Sequence, residues 1–85
     1  MSPEQSRAAR AWLGWSQREL AKRAGVGLST VQDFERGLRT PIANNIAAMR
    51  RAIEASSVRL VFDHKGAAGI LRRDAESDLS DDPPA

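Results

Sequence analysis

Two short runs of helix-forming residues, joined by a turn that contains glycine, constrain the fold of this chain more than any other feature. Both runs lie within SQRELAKRAGVGLSTVQDFERG, which occupies residues 16–37. Ser16 and Glu19 have the spacing of a capping box, which marks the start of a helix. Gly25 lies where that helix must end, because glycine readily adopts the left-handed conformation of a C-terminal cap. We therefore expect a helix over Gln17–Ala24.

The second run is expected to form a helix that begins near Gly27 and ends at about Arg36, before Gly37. Val31 and Phe34 are three residues apart, so they share a face that can pack against Leu20 of the preceding helix. Two short helices joined by about three residues that include glycine form a helix-turn-helix. This packing leaves the opposite face of the second helix free for a partner. The residues on that free face are Leu28, Ser29, Gln32, Asp33 and Arg36.

Two further helices are expected, one on each side of this pair. The first has Ser2 as its N-terminal cap and Pro3 at its first helical position, and it runs to about Leu13. The last covers roughly residues 43–55, where apolar residues recur at spacings of three and four. These apolar residues are Ile42, Ile46, Met49 and Ile53.

A change of period after the last helix predicts strands. Apolar residues alternate along the chain from Val58 to Phe62, which is typical of a strand. Residues 63–69 are expected to form a loop, and residues 70–73 to form the returning strand. The expected fold class is therefore mainly α: a four-helix domain over residues 1–55 with a short C-terminal β-hairpin over residues 56–73.

The charges of the chain are divided unevenly between a basic body and an acidic tail. Residues 1–73 hold all 13 Lys and Arg and six acids, a net charge of +7, whereas residues 74–85 hold five acids and no base, a net charge of −5. A basic body favours a polyanionic partner such as nucleic acid, and an ordinary basic surface is the alternative. The tail has too little apolar content to form a core, so we expect it to be disordered.

Several other function classes lack the residues that they need. The chain has no cysteine, and its longest apolar run is far too short to span a membrane. The N-terminus has no apolar signal-peptide core, so we expect a cytoplasmic protein. The single histidine, His64, lies in a turn-rich segment, and the sequence has neither a glycine-rich phosphate loop nor a nucleophile elbow. We therefore expect no enzyme activity, no metal site and no cofactor.

The stretch LGWSQRELAKRAGVGLSTVQDFERGLRTP resembles the DNA-binding domains of the lambda-repressor/Cro family, also called the Xre family. The matching features are the Ser-Gln-x-x-Leu-Ala start, the Ala-Gly-Val turn, the apolar Val31 and Phe34, the Glu-Arg-Gly end and the following Thr-Pro. The resemblance covers about residues 4–54. The chain is most similar to the short Xre-type regulators of alphaproteobacteria, which also tend to end in a brief strand pair. It departs at Gly27, where Ser or Thr is usual. The resemblance implies a DNA-binding transcription regulator.

In this family the outward positions of the second helix of the pair read base edges in the major groove, which is about 12 Å wide. We carry that role onto Leu28, which can contact a thymine methyl group, onto Ser29, and onto Gln32, which can pair with adenine. Thr30 and Asp33 are further candidates. The alternative for Leu28 is a purely local packing role.

The resemblance also implies contacts to the DNA backbone and one structural ion pair. A glutamine at the first position of the first helix of the pair, here Gln17, bonds a phosphate in this family, aided by the free amides and dipole of the helix. The resemblance also implies that Arg10 pairs with Glu35, near the end of the second helix, as a partly buried structural ion pair. The residues that flank the same side and could grip phosphates are Arg18, Arg36, Arg39 and Thr40; for any single arginine the alternative is an ordinary solvated charge.

A single helix-turn-helix reads about one half-site, so we expect a homodimer on a palindromic operator, with repression as the simplest outcome. The hairpin is the expected interface, because its outer edge offers unpaired backbone groups; the alternative is a hairpin that folds back on its own helices. The expected interface residues are Val58, Leu60, Val61, Phe62, Ile70 and Leu71. An antitoxin, or a small regulator that acts mainly through a protein partner, remains the alternative function.

Overall fold

The computed structural model describes residues 1–73, which form four helices followed by one antiparallel strand pair. This arrangement confirms the expected fold class. The acidic tail, residues 74–85, for which disorder was expected, lies outside the described residues. The elements are α1 (Pro3–Leu13), α2 (Gln17–Ala24), α3 (Leu28–Arg36), α4 (Ala43–Glu54), β1 (Val58–Asp63) and β2 (Gly66–Arg72).

Serine side chains cap the first two helices in different ways. At α1 the capping box is complete, because Ser2 Oγ accepts from the Gln5 amide at 3.1 Å and Gln5 Oε1 accepts from the Ser2 amide at 3.0 Å. At α2 only half of the expected box forms. Ser16 Oγ accepts from the Glu19 amide at 2.9 Å, but the Glu19 carboxylate accepts instead from Arg23 Nε at 2.6 Å.

The turn between α2 and α3 follows from two glycines. Gly25 has φ of 71°, the left-handed conformation that suits glycine, and its amide donates to the last carbonyls of α2. Gly27 occupies the N-terminal cap of α3 but offers no side chain to bond the first amides. The helix bounds therefore agree with the sequence-based prediction, and α3 begins without the side-chain cap that Ser or Thr would supply.

One core joins the four helices to β1, and β2 lies against this core. Leu20, Val31 and Phe34 pack between α2 and α3, as predicted, and Met49 and Ile53 cover them from α4. The fully buried or nearly fully buried apolar residues are Ala9, Leu20, Ala21, Val31, Phe34, Met49, Ile53, Val58 and Leu60. Ile42, which shares the apolar spacing of α4, lies outside this core: it precedes the first turn of α4 as its N-terminal cap, and 68% of its surface is exposed.

The hairpin folds back on its own helices, the alternative that the sequence left open. Val58 and Leu60 of β1 are 0% and 4% exposed and belong to the helical core. The expectation that these two side chains form a dimer contact therefore requires correction, because this chain already covers them. The returning strand also begins at Gly66 rather than near Ile70, since a two-residue turn lets the small residues after Gly66 pair with the end of β1.

Gln5 ties the hairpin to α1 through a contact between residues more than 50 positions apart. Its side chain is buried, and its Nε2 donates to the carbonyls of Val61 and Gly69 at 2.8 and 3.0 Å. The strand register shifts between Val61 and Phe62, so these carbonyls lie beside a β-bulge. Gln5 satisfies backbone groups of both strands where the ladder is irregular, and it thereby sets how the hairpin sits on the helices.

A buried carboxylate on α3 joins the first three helices. Glu35 Oε1 lies 2.7 Å from Arg10 Nη2, and its Oε2 lies 2.9 Å from Arg10 Nε, which confirms the implied ion pair. Ser6 Oγ donates to the same carboxylate, and Gln17 Nε2 donates to it at 3.1 Å. Arg10 also donates to the carbonyl of Trp15, which precedes α2. The carboxylate therefore binds two side chains from α1 and one side chain from α2.

Burial alone raises the pKa of Glu35, but the hydrogen bonds from Arg10, Ser6 and Gln17, together with the Arg10 charge, outweigh burial and lower the pKa below its ordinary value. The folded state therefore holds this carboxylate ionised more firmly than the unfolded chain does. Its contribution to stability is complete above the unfolded pKa of about 4.3 and is lost as the pH falls through the folded pKa.

We expect Glu35→Gln to lower the free energy of unfolding at pH 7 by about 3 kcal/mol, because Arg10 loses its buried partner. The variant should also lose the part of the acid dependence below about pH 4.3 that Glu35 supplies. Urea denaturation of both proteins between pH 3 and pH 7 measures both effects. The matched control is Glu19→Gln, which removes an exposed i,i+4 pair with Arg23 and should cost less than about 1 kcal/mol. Equal costs for the two variants would contradict the role assigned to Glu35.

Candidate nucleic-acid interface

The outward face of α3 carries polar side chains at helical spacing. Ser29, Gln32, Asp33 and Arg36 lie three or four positions apart, so they share one side of the helix, opposite the buried Val31, Phe34 and Glu35. Ser29 and Arg36 are exposed, whereas Gln32 and Asp33 are half-buried. The structure therefore brings together on one side of α3 three side chains that the sequence assigned to base reading, Ser29, Gln32 and Asp33, and one that it assigned to phosphate binding, Arg36.

Leu28 and Thr30 occupy the first turn of α3 and are both half-buried. Leu28 packs against the core with part of its side chain. The remaining part is accessible at the N-terminal end of the helix, so local packing and contact with a partner are compatible for this residue. Thr30 and Ser29 both line a groove between the start of α3 and the loop that leads to α4.

The N-terminus of α3 is electrostatically suited to approach an anion. No residue among residues 1–73 gives the first turn of α3 an acidic side chain or a side-chain cap. The first amides of the helix and the positive end of its dipole are therefore not neutralised there. An aspartate or glutamate cap would stabilise α3, but it would also place a negative charge at the point of closest approach to a phosphate backbone.

A groove of about 280 Å³ separates the start of α3 from the loop that leads to α4. Asp33 Oδ2 and Arg39 Nε lie 4.0 Å apart across it, and 82% of the Arg39 side chain is exposed. This distance leaves the guanidinium mostly in solvent, so the pair is weak and the arginine remains accessible. The lining residues are Ser29, Thr30, Asp33, Arg39, Thr40, Pro41, Ile42 and Asn45.

Gln17 and Arg18 begin α2 close to Glu35, which lies in the last turn of α3. Gln17 is half-buried and gives one amide hydrogen to Glu35, so its second amide hydrogen and its carbonyl oxygen are what it can offer to a phosphate. Arg18 is exposed. The Glu35 carboxylate thus holds Gln17 in position relative to α3, a link between the two helices that sequence spacing did not reveal.

The hairpin residues assigned to dimerisation lie away from this face. β1 packs against α4 and β2 against α1, whereas the groove lies at the N-terminal end of α4. Phe62 is partly exposed, and the guanidinium of Arg50 lies 4.8 Å from the centre of its ring. Val61, Ile70 and Leu71 are half-buried.

Sequence reasoning missed three residues near the groove. Leu38 and Ile42, in the loop between α3 and α4, are 65% and 68% exposed, and Asn45 lines the groove from the first turn of α4. Ile42 continues the apolar spacing of α4, but it lies before the first turn of the helix, where its side chain does not turn toward the core.

Two other kinds of site have no support in the part of the chain that the structure describes. No group of three or more His, Asp or Glu side chains among residues 1–73 is arranged to hold a metal ion. The helices of this part are also too short and too polar to cross a bilayer. His64 lies in the exposed turn between β1 and β2.

Comparison with known proteins identifies the family. A family model described as helix-turn-helix, of the Xre/lambda-repressor type, matches residues 7–58, which is more than half of the chain and includes all four helices apart from the start of α1. No curated protein matches the chain. The chain therefore belongs to the Xre/lambda-repressor-like helix-turn-helix family of DNA-binding transcription regulators.

Proposed function

We propose that this protein is a sequence-specific repressor that binds a palindromic operator as a homodimer, with α3 in the major groove. One observation carries the proposal: the face of α3 opposite the core presents Ser29, Gln32 and Arg36 to solvent beside a helix N-terminus that holds no acid. Repression is the simplest outcome of binding, because a bound dimer can block access of polymerase to the same DNA.

Each base-reading residue has a distinct chemical role. The accessible part of Leu28 suits the methyl group of thymine, and the hydroxyls of Ser29 and Thr30 can donate or accept at several bases. Gln32 can form a bidentate pair with adenine. Asp33 can accept from the amino group of cytosine, and its weak pairing with Arg39 leaves that role open.

The phosphate contacts surround these bases. Gln17 and Arg18 start α2, while Arg36 ends α3 and Arg39 and Thr40 follow it, so the two groups can hold the DNA backbone on either side of the reading helix. Four of the five residues are exposed, and the fifth, Gln17, is half-buried and positioned by Glu35. Leu38 and Ile42 extend the same side of the molecule with apolar surface that can pack on sugar groups.

The dimer is proposed to form through an edge of the hairpin. The edge of β1 is partly covered, since the Leu60 amide donates to Glu54 Oε2 at 3.2 Å and not to a strand. Leu60 is opposite Ile70 in the strand register, and the Leu60 amide does not bond that residue. The backbone groups of Ile70 therefore point away from β1, toward the outer edge of β2. Trp12, which is 58% exposed, lies beside Ile70 and Leu71 at that edge. A second copy can add its own β2 there and bury these apolar groups.

The same edge also suits a protein partner, as an antitoxin-like regulator would require. Titration of the purified protein against its own upstream DNA at several salt concentrations separates the two functions. Tight, sequence-dependent binding supports the repressor. Weak binding to every sequence would overturn it and favour a function through a protein partner.

We expect Gln32→Ala to weaken binding to the cognate operator by about 1–3 kcal/mol and to relax base preference at one position of each half-site. The free energy of unfolding should change by no more than about 0.5 kcal/mol, because the side chain lies outside the core. Fluorescence anisotropy with a panel of operators, each changed at one base pair, measures the preference. Equal weakening on every sequence would contradict base reading by Gln32.

Arg36→Ala and Arg39→Ala should each weaken specific and non-specific binding alike. Each phosphate contact contributes about 0.9 to the slope of log affinity against log salt concentration, so each variant should have a shallower slope by about that amount. The matched control is Lys65→Ala, which removes the same charge from the exposed turn of the hairpin. If the slope is unchanged in both arginine variants, or falls equally in the control, these arginines do not bind phosphate.

Leu71→Asp should convert the dimer into a folded monomer that binds a full operator much more weakly, because Leu71 lies at the outer edge of β2 beside Trp12 and a charge would enter the proposed interface. Leu60 is unsuitable for this test, since it is buried in the core of its own chain. His64→Asp places the same charge in the exposed turn and should leave the dimer intact. Sedimentation equilibrium measures the mass of each protein, and circular dichroism measures its helix content. A parent protein that is strictly monomeric at high micromolar concentration would overturn the dimer model.

A further inference from the structure

The proposed DNA-binding face carries positive charge that the described part of the chain does not neutralise. Arg18 and Arg36 are exposed, and neither has a carboxylate partner within residues 1–73. The complementary charge lies elsewhere in the same chain. Residues 74–85 hold five acids and no base, against the net +7 of residues 1–73. The chain therefore contains both a polyanionic segment and a cationic surface that can bind it.

The structure fixes where this acidic segment begins. The Arg73 amide donates to the Ser57 carbonyl at 2.6 Å, and the Arg73 guanidinium donates to the Glu54 carbonyl, the last residue of α4. Arg73 is thus held at the C-terminal end of α4. Asn45, in the first turn of α4, lines the groove beside Ser29. The 12 residues of α4 span about 18 Å, which is therefore roughly the distance from the start of the acidic segment to the groove.

The acidic segment is long enough to cover that distance. Its 12 residues can extend to about 40 Å, at about 3.3–3.6 Å per residue. Asp78 is five residues beyond Arg73 and can reach about 17 Å, whereas Asp81 and Asp82 can reach about 27–30 Å. Asp81 and Asp82 are adjacent in sequence, so they place two negative charges close together. Covalent geometry thus allows the outer acids to reach the groove and Arg39, which lines it.

We propose that residues 74–85 bind the DNA-binding face of their own chain when DNA is absent, so that DNA must displace an internal phosphate mimic. This inference rests on the proposed DNA-binding face. A tethered segment has an effective concentration in the millimolar range, so even a weak contact is occupied for much of the time. The acids compete for the arginines that are proposed to hold phosphates. Because any DNA must displace the segment from the same face, the segment lowers the affinity for random DNA and for the operator by the same factor.

The contact can be detected without DNA, because the chain has no cysteine and one introduced thiol can be labelled uniquely. A nitroxide on Leu79→Cys should broaden the amide signals of Ser29, Arg36 and Arg39 in the full-length protein. A nitroxide on Lys65→Cys, in the hairpin turn, should leave those signals unchanged. The broadening should disappear at about 0.5 M salt, where charges are screened within about 5 Å. It should be independent of protein concentration, because a tail that bound another copy would broaden the signals more as concentration rises.

A matched pair of charge variants tests the effect on DNA binding. Asp81→Asn with Asp82→Asn removes two charges from the segment, and Glu4→Gln with Asp63→Asn removes two exposed charges from the body. At 50 mM salt the tail variant should bind a random duplex about two- to tenfold more tightly than the parent, as expected for loss of a competitor of millimolar effective concentration. The body variant should change this affinity by less than twofold. The difference should vanish at high salt.

The outcomes separate the inference from the proposed function. No broadening at α3, broadening that grows with protein concentration, or equal effects of the two charge variants would each overturn the internal contact. A protein that shows the broadening but binds no sequence preferentially would retain the internal contact and overturn sequence-specific repression instead. Broadening that is confined to the hairpin would place the acidic segment elsewhere and also overturn the proposal.

Discussion

The buried carboxylate of Glu35 is the interaction on which the arrangement of the helices depends. It lies near the end of α3 and accepts hydrogen bonds from Arg10 and Ser6 of α1 and from Gln17 of α2. An unpaired carboxylate at this depth would be strongly unfavourable, so α3 can pack here only when those partners are in place. Because Gln17 also starts α2, one group sets the relative position of the helix proposed to read bases and the helix start proposed to hold a phosphate.

The hairpin extends the same core and is anchored by a second buried polar side chain. Val58 and Leu60 complete the apolar interior, which the helices alone would leave open on one side. Gln5 then bonds a carbonyl of each strand next to the bulge. A two-stranded hairpin is marginally stable by itself, so its order here derives from the helices that it covers. Its free edge, beside Trp12 and Ile70, is what remains for association.

The arginines proposed to bind phosphate differ from those that form ion pairs within and between the helices. Arg10 is committed to Glu35, and the exposed Arg23 and Arg50 form i,i+4 pairs along their own helices. Arg18 and Arg36 have no such partner among residues 1–73 and lie beside the outward face of α3. Arginines that carry no structural pairing can exchange counterions for phosphates without a cost to the fold.

The sequence by itself determined the helices, the turn and the outward face of α3. Capping serines, glycines that end helices and apolar spacings of three and four are local signals, so they predicted the bounds of α2 and α3 and the buried Leu20, Val31 and Phe34. The Arg10–Glu35 pair was anticipated only through the family resemblance. Its confirmation shows the limit of local signals, since the two residues are 25 positions apart.

Only the tertiary structure decided how distant segments meet. It placed Val58 and Leu60 in the core rather than at a free surface, exposed Ile42, started β2 at Gly66 and gave Gln5 its two carbonyl partners. Each of these outcomes depends on which face of one element another element covers. Alternation within a strand predicts two faces but cannot say which of them a helix will bury. Sequence periodicity therefore specified the elements and the candidate reading face, whereas long-range packing decided which surfaces remain available for DNA, for a second copy and for the acidic segment.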